Sequence, residues 1–319
     1  MKPKVFITRK IPKGIVNKIE EVCDVEMWEH EETPIPYEVL ESKVQDIEGL
    51  FCLLTETIDE SLLKKAKKLK VVSNMAVGYN NIDVKAAKER GITVTNTPGV
   101  LTETTADLTF ALLMATSRRI IESDNYLKNG KWTTWSPMQL TGQDVFGATL
   151  GIIGMGRIGE AIAKRAKGFD MDILYHNRSR KLDVEENLGV QYVEMEELLK
   201  QSDFVVIMTP YTPETKNLIS KQELSLMKKS GILINTSRGG IVDENALYEA
   251  LKNNDIWAAG LDVYETEPIS LDNALLELPN VVTLPHIGSA SIKTRLKMAE
   301  LAAENLIAGV MDKQPAHVV

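Results

Sequence analysis

Cysteine is almost absent from this chain: the only two are Cys23 and Cys52, which form neither a C-x-x-C pair nor a metal-ligand spacing. Their scarcity argues against a disulfide framework and favours two buried thiols in a reducing compartment, the cytoplasm. No metal site is predicted. The chain also lacks an apolar run of ~18 residues and an N-terminal signal segment, so neither a membrane span nor secretion is expected.

Positive charge is also in short supply. The 37 Lys and Arg residues are outnumbered by 45 Asp and Glu residues, which gives a formal net charge of -8. This excess of negative charge argues against nucleic acid or an anionic membrane as the main partner. A small anionic substrate would need local positive groups, because the overall field repels it.

What the chain does contain is an alternation of short strands and helices over 319 residues, a length suited to two domains. Within the first hundred residues, strands are predicted at 5–8, 49–54, 71–77 and 92–95, and helices at 12–22, 60–69 and 83–90. This pattern is typical of a small parallel α/β unit. It ends at a breaker cluster, residues 96–99 (NTPG), which suits a hinge.

The most informative motif is a dinucleotide fingerprint formed by Gly154, Gly156 and Gly159, with an apolar strand before it and a helical pattern after it. The first glycine allows a tight turn, the second lets the backbone approach a pyrophosphate, and the third permits close helix–strand packing. The positive end of the new helix faces the anion. A nucleotide site is therefore predicted here.

The fingerprint lies in the middle of the chain, so the nucleotide unit is predicted to be inserted into the first one. Further strands are expected at 173–176, 204–208, 231–235, 258–263 and 281–284, and long helices at 102–119 and 291–310. The predicted fold is α/β, with two Rossmann-like or flavodoxin-like parallel-sheet domains. The NAD(P)-binding domain (100–287) interrupts a discontinuous substrate domain (1–99 and 288–319), and a hinged cleft would separate them.

The loop after the second strand of the nucleotide unit indicates which cofactor binds. An NAD site normally carries Asp or Glu there, but this chain has Asn177, Arg178, Ser179 and Arg180. Guanidinium groups and a hydroxyl suit a 2′-phosphate, whose charge an Asp would repel. The loop predicts a preference for NADP, with NAD still possible.

Three more segments near predicted strand ends carry charged or titratable residues: 235–240 (NTSRGG), 262–268 (DVYETEP) and 284–289 (LPHIGS). Ligands of open α/β sheets bind beyond the carboxyl ends of the strands. Arg, Glu and His side chains that each follow a different strand could therefore converge at one site.

The chain resembles the D-isomer-specific 2-hydroxyacid dehydrogenases, and among them the glyoxylate/hydroxypyruvate reductases. The resemblance covers essentially the whole chain. Its carriers are residues 77–83 (VGYNNID), the glycine fingerprint, 210–215 (PYTPET), 237–243 (SRGGIVD), 266–268 (TEP) and 285–288 (PHIG).

This resemblance implies an NAD(P)H-dependent reduction of small 2-keto acids to D-2-hydroxy acids, with Arg238, Glu267 and His286 as the catalytic residues. His286 would donate the proton and Glu267 would hold its imidazolium form. Arg238 would polarise the keto group and pair with the carboxylate, for which a planar fork is better suited than Lys.

The resemblance also implies a set of further contacts. Backbone amides around Val77 and Gly78, with Ser289, would bind substrate. Cofactor contacts are expected from Thr105, Arg157, Ile158, Thr209, Pro210, Tyr211, Thr215, Thr236, Ser237, Asp262 and Gly288, in addition to the glycine fingerprint, the basic loop, Arg238 and His286.

The segment 123–146 looks irregular and contains Trp132, Trp135 and Met138. Exposed aromatic residues on such an extension often mark a protein contact. The segment resembles the dimer arm of the reductases, so a homodimer through residues 120–147 is expected, with Trp135 reaching the substrate of the partner.

Several other functions remain to be weighed. A 2-ketogluconate reductase or a broad-range 2-keto-acid reductase would share all three catalytic residues. Formate dehydrogenases carry Gln at the position of Glu267, and phosphoglycerate dehydrogenases usually add a C-terminal regulatory domain. A dinucleotide-sensing transcriptional corepressor is the alternative from another class, but it would carry disordered tails that this chain lacks.

Overall fold

The computed structural model describes all 319 residues and divides into two compact units. Unit 1 contains Met1–Leu101 and Ala290–Val319, and unit 2 contains Thr102–Ser289. These bounds lie two residues further along the chain than those expected from the sequence.

The N-terminal part of unit 1 builds a five-stranded parallel sheet in the order β2-β1-β3-β4-β5. Its strands are β1 (Lys4–Ile7), β2 (Asp24–Met27), β3 (Gly49–Cys52), β4 (Val71–Asn74) and β5 (Thr93–Thr95). Its helices are α1 (Lys13–Glu20), α2 (Tyr37–Lys43), α3 (Glu60–Lys65) and α4 (Val84–Glu89). The side chains of Asp59 and Asp83 cap the N-termini of α3 and α4 by accepting hydrogen bonds from backbone amides of the first turn. Strands β3 and β4 are wholly buried, which explains the apolar sequence of β3 and of the first two residues of β4, Val71 and Val72.

Unit 2 builds a seven-stranded parallel sheet in the order β12-β11-β10-β9-β6-β7-β8. Its strands are β6 (Thr149–Ile153), β7 (Asp172–His176), β8 (Gln191–Tyr192), β9 (Phe204–Ile207), β10 (Ile232–Asn235), β11 (Ala258–Leu261) and β12 (Val281–Thr283). Its helices are α5 (Thr102–Ser117), α6 (Ile120–Lys128), α7 (Arg157–Lys167), α8 (Leu182–Leu188), α9 (Met195–Gln201), α10 (Lys221–Leu226) and α11 (Glu244–Lys252). Short 3-10 helices lie at Gly239–Ile241 and Ala274–Glu277.

The last helix, α12 (Ile292–Val310), returns to unit 1 and packs on β3 and β4. Gly309 and Gly49 permit this close approach, because a Cβ on either would lie 2.6 Å from a valine side chain across the contact. Ser73 on β4 donates a hydrogen bond to the Ala302 carbonyl at 2.7 Å. The predicted fold, two parallel α/β sheets with the first unit discontinuous in sequence, is confirmed.

The expectation that the segment 123–146 is irregular is wrong only at its start. Its first six residues belong to α6, whereas residues 129–146 contain neither helix nor strand. No residue of α6 is buried in this chain, so its apolar side chains Ile120, Ile121 and Leu127 do not pack into the core. None of the helices combines the length and the apolar character that crossing a bilayer requires.

Candidate active site

The carboxyl ends of β6, β10, β11 and β12 lie at the same edge of the parallel sheet of unit 2. Gly154 follows β6, Arg238 follows β10, Asp262 follows β11 and His286 follows β12. In an open α/β sheet this edge is where ligands bind. The glycine loop and the charged segments predicted from the sequence therefore share one edge.

The three glycines of the loop have different local environments. Gly154 has φ = 105°, and a Cβ there would lie 2.6 Å from the Met208 backbone. A Cβ on Gly159 would lie 2.5 Å from the Gly154 carbonyl oxygen. A Cβ on Gly156 would have no neighbouring atom within 4 Å. This glycine directly precedes the first turn of α7. The loop thus leaves its second glycine and the helix amides accessible to an anion, which fits the pyrophosphate of a dinucleotide.

These environments predict opposite effects for two substitutions. Gly156→Ala should fold with an unchanged melting temperature but weaken NADPH binding about tenfold or more, because its methyl group occupies the pyrophosphate approach. Gly154→Ala should instead destabilise the protein by about 1–3 kcal/mol, because it forces a side chain into left-handed backbone. Thermal melts and fluorescence titration with NADPH measure both effects. A destabilised Gly156→Ala protein, or one with unchanged NADPH affinity, would contradict this assignment.

The predicted cofactor loop after β7 is organised by side-chain hydrogen bonds. Asn177 accepts the Met155 backbone amide at 2.8 Å, so it holds the glycine loop. Arg178 and Ser179 are exposed. The guanidinium of Arg180 forms a two-point ion pair with Glu185 on α8, at 2.7 and 2.6 Å. The sequence suggested this basic loop, but it gave no sign that Glu185 engages Arg180.

His286 and Glu267 form a hydrogen-bonded pair, with 2.5 Å between Nδ1 and Oε2. The other oxygen of Glu267 accepts the Tyr264 backbone amide at 3.0 Å. Burial raises the pKa of the Glu267 carboxyl, but the hydrogen bond and charge of His286 outweigh it, and the net pKa is lowered. Glu267 is therefore held ionised against Nδ1, and Nε2 is the ring nitrogen that can exchange a proton with a ligand.

The loop that carries His286 is fixed by Asp262. His286 has φ = 54°, a left-handed conformation that is uncommon for residues other than glycine. The Ile287 and Gly288 amides each donate to the fully buried Asp262 carboxylate at 2.8 Å. Burial raises the pKa of Asp262, against the lowering effect of these amides. Asp262 thus positions the imidazole, and its predicted contact with the cofactor carboxamide stays a prediction.

Arg238 is partly buried and lies within electrostatic range of Glu267. Burial lowers the pKa of its guanidinium, and the charge of Glu267 opposes this shift. Asn235 fixes the turn by donating to the Arg238 carbonyl at 2.8 Å and accepting the Ser237 amide at 3.1 Å. Gly239 lets the turn lie against the Tyr264 backbone, where a Cβ would approach to 1.8 Å. The arginine turn and the Glu267 segment are therefore packed together.

Asn235 and Tyr264 are positioning residues that were not predicted from the sequence. Both are buried, and the Tyr264 hydroxyl donates to the Leu284 carbonyl at 2.9 Å, which ties the Glu267 segment to the His286 loop. Buried polar side chains almost always have a hydrogen-bond partner. The polar Asn235 at the end of the apolar strand β10 was therefore a signal in the sequence.

Most of the other predicted cofactor residues lie around the same edge. A Cβ on Gly288 would lie 3.5 Å from Thr105. Thr236 shares a 2.6 Å hydrogen bond with Thr109. The Thr209 carbonyl accepts the Ser237 hydroxyl, and the Thr215 hydroxyl donates to the Pro210 carbonyl at 2.8 Å. Tyr211 packs against Gly240, and Arg157 and Ile158 form the first turn of α7.

The remaining predicted substrate residues have different settings. Val77 and Gly78 follow β4 in unit 1, where Asn96 and Asn74 each donate to one of their carbonyls at 2.9 Å. Ser289 is the last residue of unit 2 and is partly exposed. Trp135 is 76% exposed in a stretch without helix or strand. No group of three or more His, Cys, Asp and Glu side chains is placed to hold a metal ion.

Comparison with known proteins gives a consistent result. The profile described as "D-isomer specific 2-hydroxyacid dehydrogenase, NAD binding domain" matches residues 110–288. The chain is 53% identical to a glyoxylate reductase from Korarchaeum cryptofilum, over all of this chain and 96% of the relative. It is 51% identical to a glyoxylate reductase from Thermococcus litoralis, over all of this chain and 97% of the relative.

Solved structures are similar over their full length. The TT0316 protein from Thermus thermophilus has a TM-score of 0.93 and 44% identity, covering 99% of both chains. An NADPH-dependent glyoxylate/hydroxypyruvate reductase from Sinorhizobium meliloti, in complex with NADP and malonate, has a TM-score of 0.89 and 34% identity. That match covers all of this chain and 97% of the reductase.

Proposed function

This chain belongs to the D-isomer specific 2-hydroxyacid dehydrogenases, and we propose that His286, Glu267 and Arg238 perform its chemistry. It is an oxidoreductase that binds a nicotinamide dinucleotide and reduces keto acids. The hydrogen bond between His286 and Glu267, at the sheet edge shared with Arg238 and the glycine loop, carries this proposal.

The division of labour follows from the contacts of each side chain. A nicotinamide dinucleotide bound at the glycine loop would supply the hydride for the keto carbon. His286, fixed through Nδ1, donates a proton from Nε2 to the oxygen of that keto group, and accepts it in the reverse direction. Glu267 holds the ring and stabilises its protonated form. Arg238 polarises the keto oxygen and neutralises the substrate carboxylate.

The proposed substrates are glyoxylate and hydroxypyruvate, which the names of the relatives and of the Sinorhizobium structure support. Steady-state rates should be measured for glyoxylate, hydroxypyruvate, 2-ketogluconate and pyruvate, each with NADPH and with NADH. We expect the highest kcat/KM for glyoxylate or hydroxypyruvate with NADPH. A higher value for 2-ketogluconate would replace this substrate assignment, and no turnover of any keto acid would reject the catalytic proposal. Binding of the substrate carboxylate by Val77 and Gly78 stays a prediction.

The proposed cofactor preference is for NADP. The loop after β7 places Arg178 and Ser179, both exposed, where an NAD site would carry an acidic residue. A guanidinium attracts a 2′-phosphate that a carboxylate would repel. The Sinorhizobium reductase, whose structure holds NADP, supports the same preference.

We further propose a homodimer formed through residues 120–147. Seven large apolar side chains of this segment are exposed: Ile120, Ile121, Leu127, Trp132, Trp135, Met138 and Phe146. Such a concentration of exposed apolar surface is typical of an interface. The contact of Trp135 with a partner's substrate stays a prediction.

The proposed location is the cytoplasm, because the free, buried thiols of Cys23 and Cys52 suit a reducing compartment.

A further inference from the structure

Arg180, one of the two arginines predicted to bind the 2′-phosphate, already has a carboxylate partner. Its Nε and Nη2 donate to the two oxygens of Glu185. The hydroxyl of the fully buried Tyr175 donates to Glu185 at 2.7 Å and accepts the Lys181 amide at 2.8 Å. These four residues (Tyr175, Arg180, Lys181 and Glu185) form the Glu185 network. It anchors Arg180 to α8, the helix that leads away to the edge strand β8.

Arg178 has a different electrostatic neighbour. Hydrogen bonds from Thr212 and the backbone lower the pKa of Glu214, and the charge of Arg178 adds to this shift. Glu214 lies in the loop after β9, and β6 with its glycine loop separates β9 from β7 in the sheet. The charge of Arg178 therefore acts on the Glu214 carboxylate across the carboxyl end of β6, where the glycine loop begins. Arg180 is instead hydrogen-bonded to Glu185 on α8.

We propose that Glu185 is a specificity-determining residue, which weakens the binding of NADP relative to NAD by holding Arg180. The inference rests on the proposed binding of the 2′-phosphate at this loop. In its two-point pair with Glu185, the Arg180 guanidinium uses the same N–H donors that would bind the 2′-phosphate of NADP. The carboxylate of Glu185 also adds a negative charge close to the dianionic phosphate, while the neutral 2′-hydroxyl of NAD is indifferent to it. Recognition of the phosphate then depends on Arg178.

The direct test is Glu185→Gln, which keeps the shape of the side chain and an oxygen for Tyr175 but removes the charge. The matched control is Glu186→Gln, the exposed next residue of the same helix. Dissociation constants for NADPH and NADH come from fluorescence titration without substrate. We expect Glu185→Gln to bind NADPH about 3- to 10-fold more tightly, an electrostatic effect of a partly buried carboxylate on an exposed arginine, with NADH changed less than about twofold. The control should leave both cofactors within about twofold.

Single substitutions of the two arginines separate this inference from the proposed cofactor preference. Arg178→Ala should weaken NADPH binding about tenfold or more, and Arg180→Ala no more than about threefold. In the Glu185→Gln background, Arg180→Ala should remove the part of the gain in NADPH affinity that comes from the released guanidinium, and leave only the part due to the lost repulsion. Unchanged or weaker NADPH binding by Glu185→Gln would overturn the role of Glu185 even if Arg178→Ala behaves as expected. If neither arginine affected NADPH more than NADH, the proposed preference itself would fail, and the inference with it.

Discussion

Replacement of His286 by Gln is expected to lower kcat for keto-acid reduction by about 10²- to 10⁴-fold, the usual contribution of a general acid. Gln can still donate a hydrogen bond, but it cannot release a proton to the developing alkoxide. NADPH binding should largely persist, because the glycine loop and the loop after β7, which are expected to hold the pyrophosphate and the 2′-phosphate, follow other strands of the sheet. Steady-state kinetics with glyoxylate and a separate NADPH titration measure the two quantities.

A matched control is available for this substitution. His30 is exposed and lies in unit 1, so His30→Gln should leave both kcat and NADPH affinity unchanged. If His286→Gln retained more than a tenth of the wild-type kcat, it would not be the proton donor. A loss of NADPH affinity in parallel with the rate would make its role structural.

Substitution of Arg238 by Lys should lower kcat/KM about 10²- to 10³-fold, although the positive charge next to Glu267 is kept. The loss is expected because Lys cannot present two parallel donors to a keto oxygen and a carboxylate. The turn should survive, since Asn235 and Gly239 hold its backbone in addition to the hydrogen bond that the guanidinium donates to the Ser237 carbonyl at 2.7 Å. Kinetics at varied glyoxylate concentration, together with a thermal melt, test this expectation.

The control for Arg238→Lys is Arg165→Lys in the same unit. Arg165 forms ion pairs with the exposed carboxylates of Glu103 and Asp107. Such surface pairs contribute little, so kcat/KM should stay within about twofold of the wild type. Similar losses for both variants, or full activity of Arg238→Lys, would remove Arg238 from the proposed mechanism.

The parts of the fold that the sequence predicted are those where each residue faces one strong local constraint. Gly154 and Gly159 are required because a Cβ would collide with backbone, and the apolar strand and helix beside them identify the turn. A strand such as β9 (FVVI) is wholly buried and is therefore a continuous apolar run. In contrast, α6 buries no residue, so no constraint from the core shapes its sequence.

The parts that the sequence could not predict depend on contacts between residues of separate elements. Arg180 and Glu185 are five residues apart, but only the turn from β7 into α8 brings the carboxylate onto the guanidinium fork. Asp262 is similarly fixed by amides more than twenty residues further along the chain. The residue types indicated that these side chains are important, but only the three-dimensional fold shows which groups they bind.

The central claim is that His286 and Arg238 act on the same keto oxygen. A crystal structure of the enzyme with NADPH and oxamate, an unreactive analogue of a 2-keto acid, tests it most directly. The predicted result is an oxamate carbonyl oxygen within hydrogen-bond distance, about 2.6–3.2 Å, of both the Nε2 atom of His286 and the guanidinium of Arg238. An analogue bound with that oxygen distant from either group, or a His286 ring separated from Glu267, would contradict the mechanism.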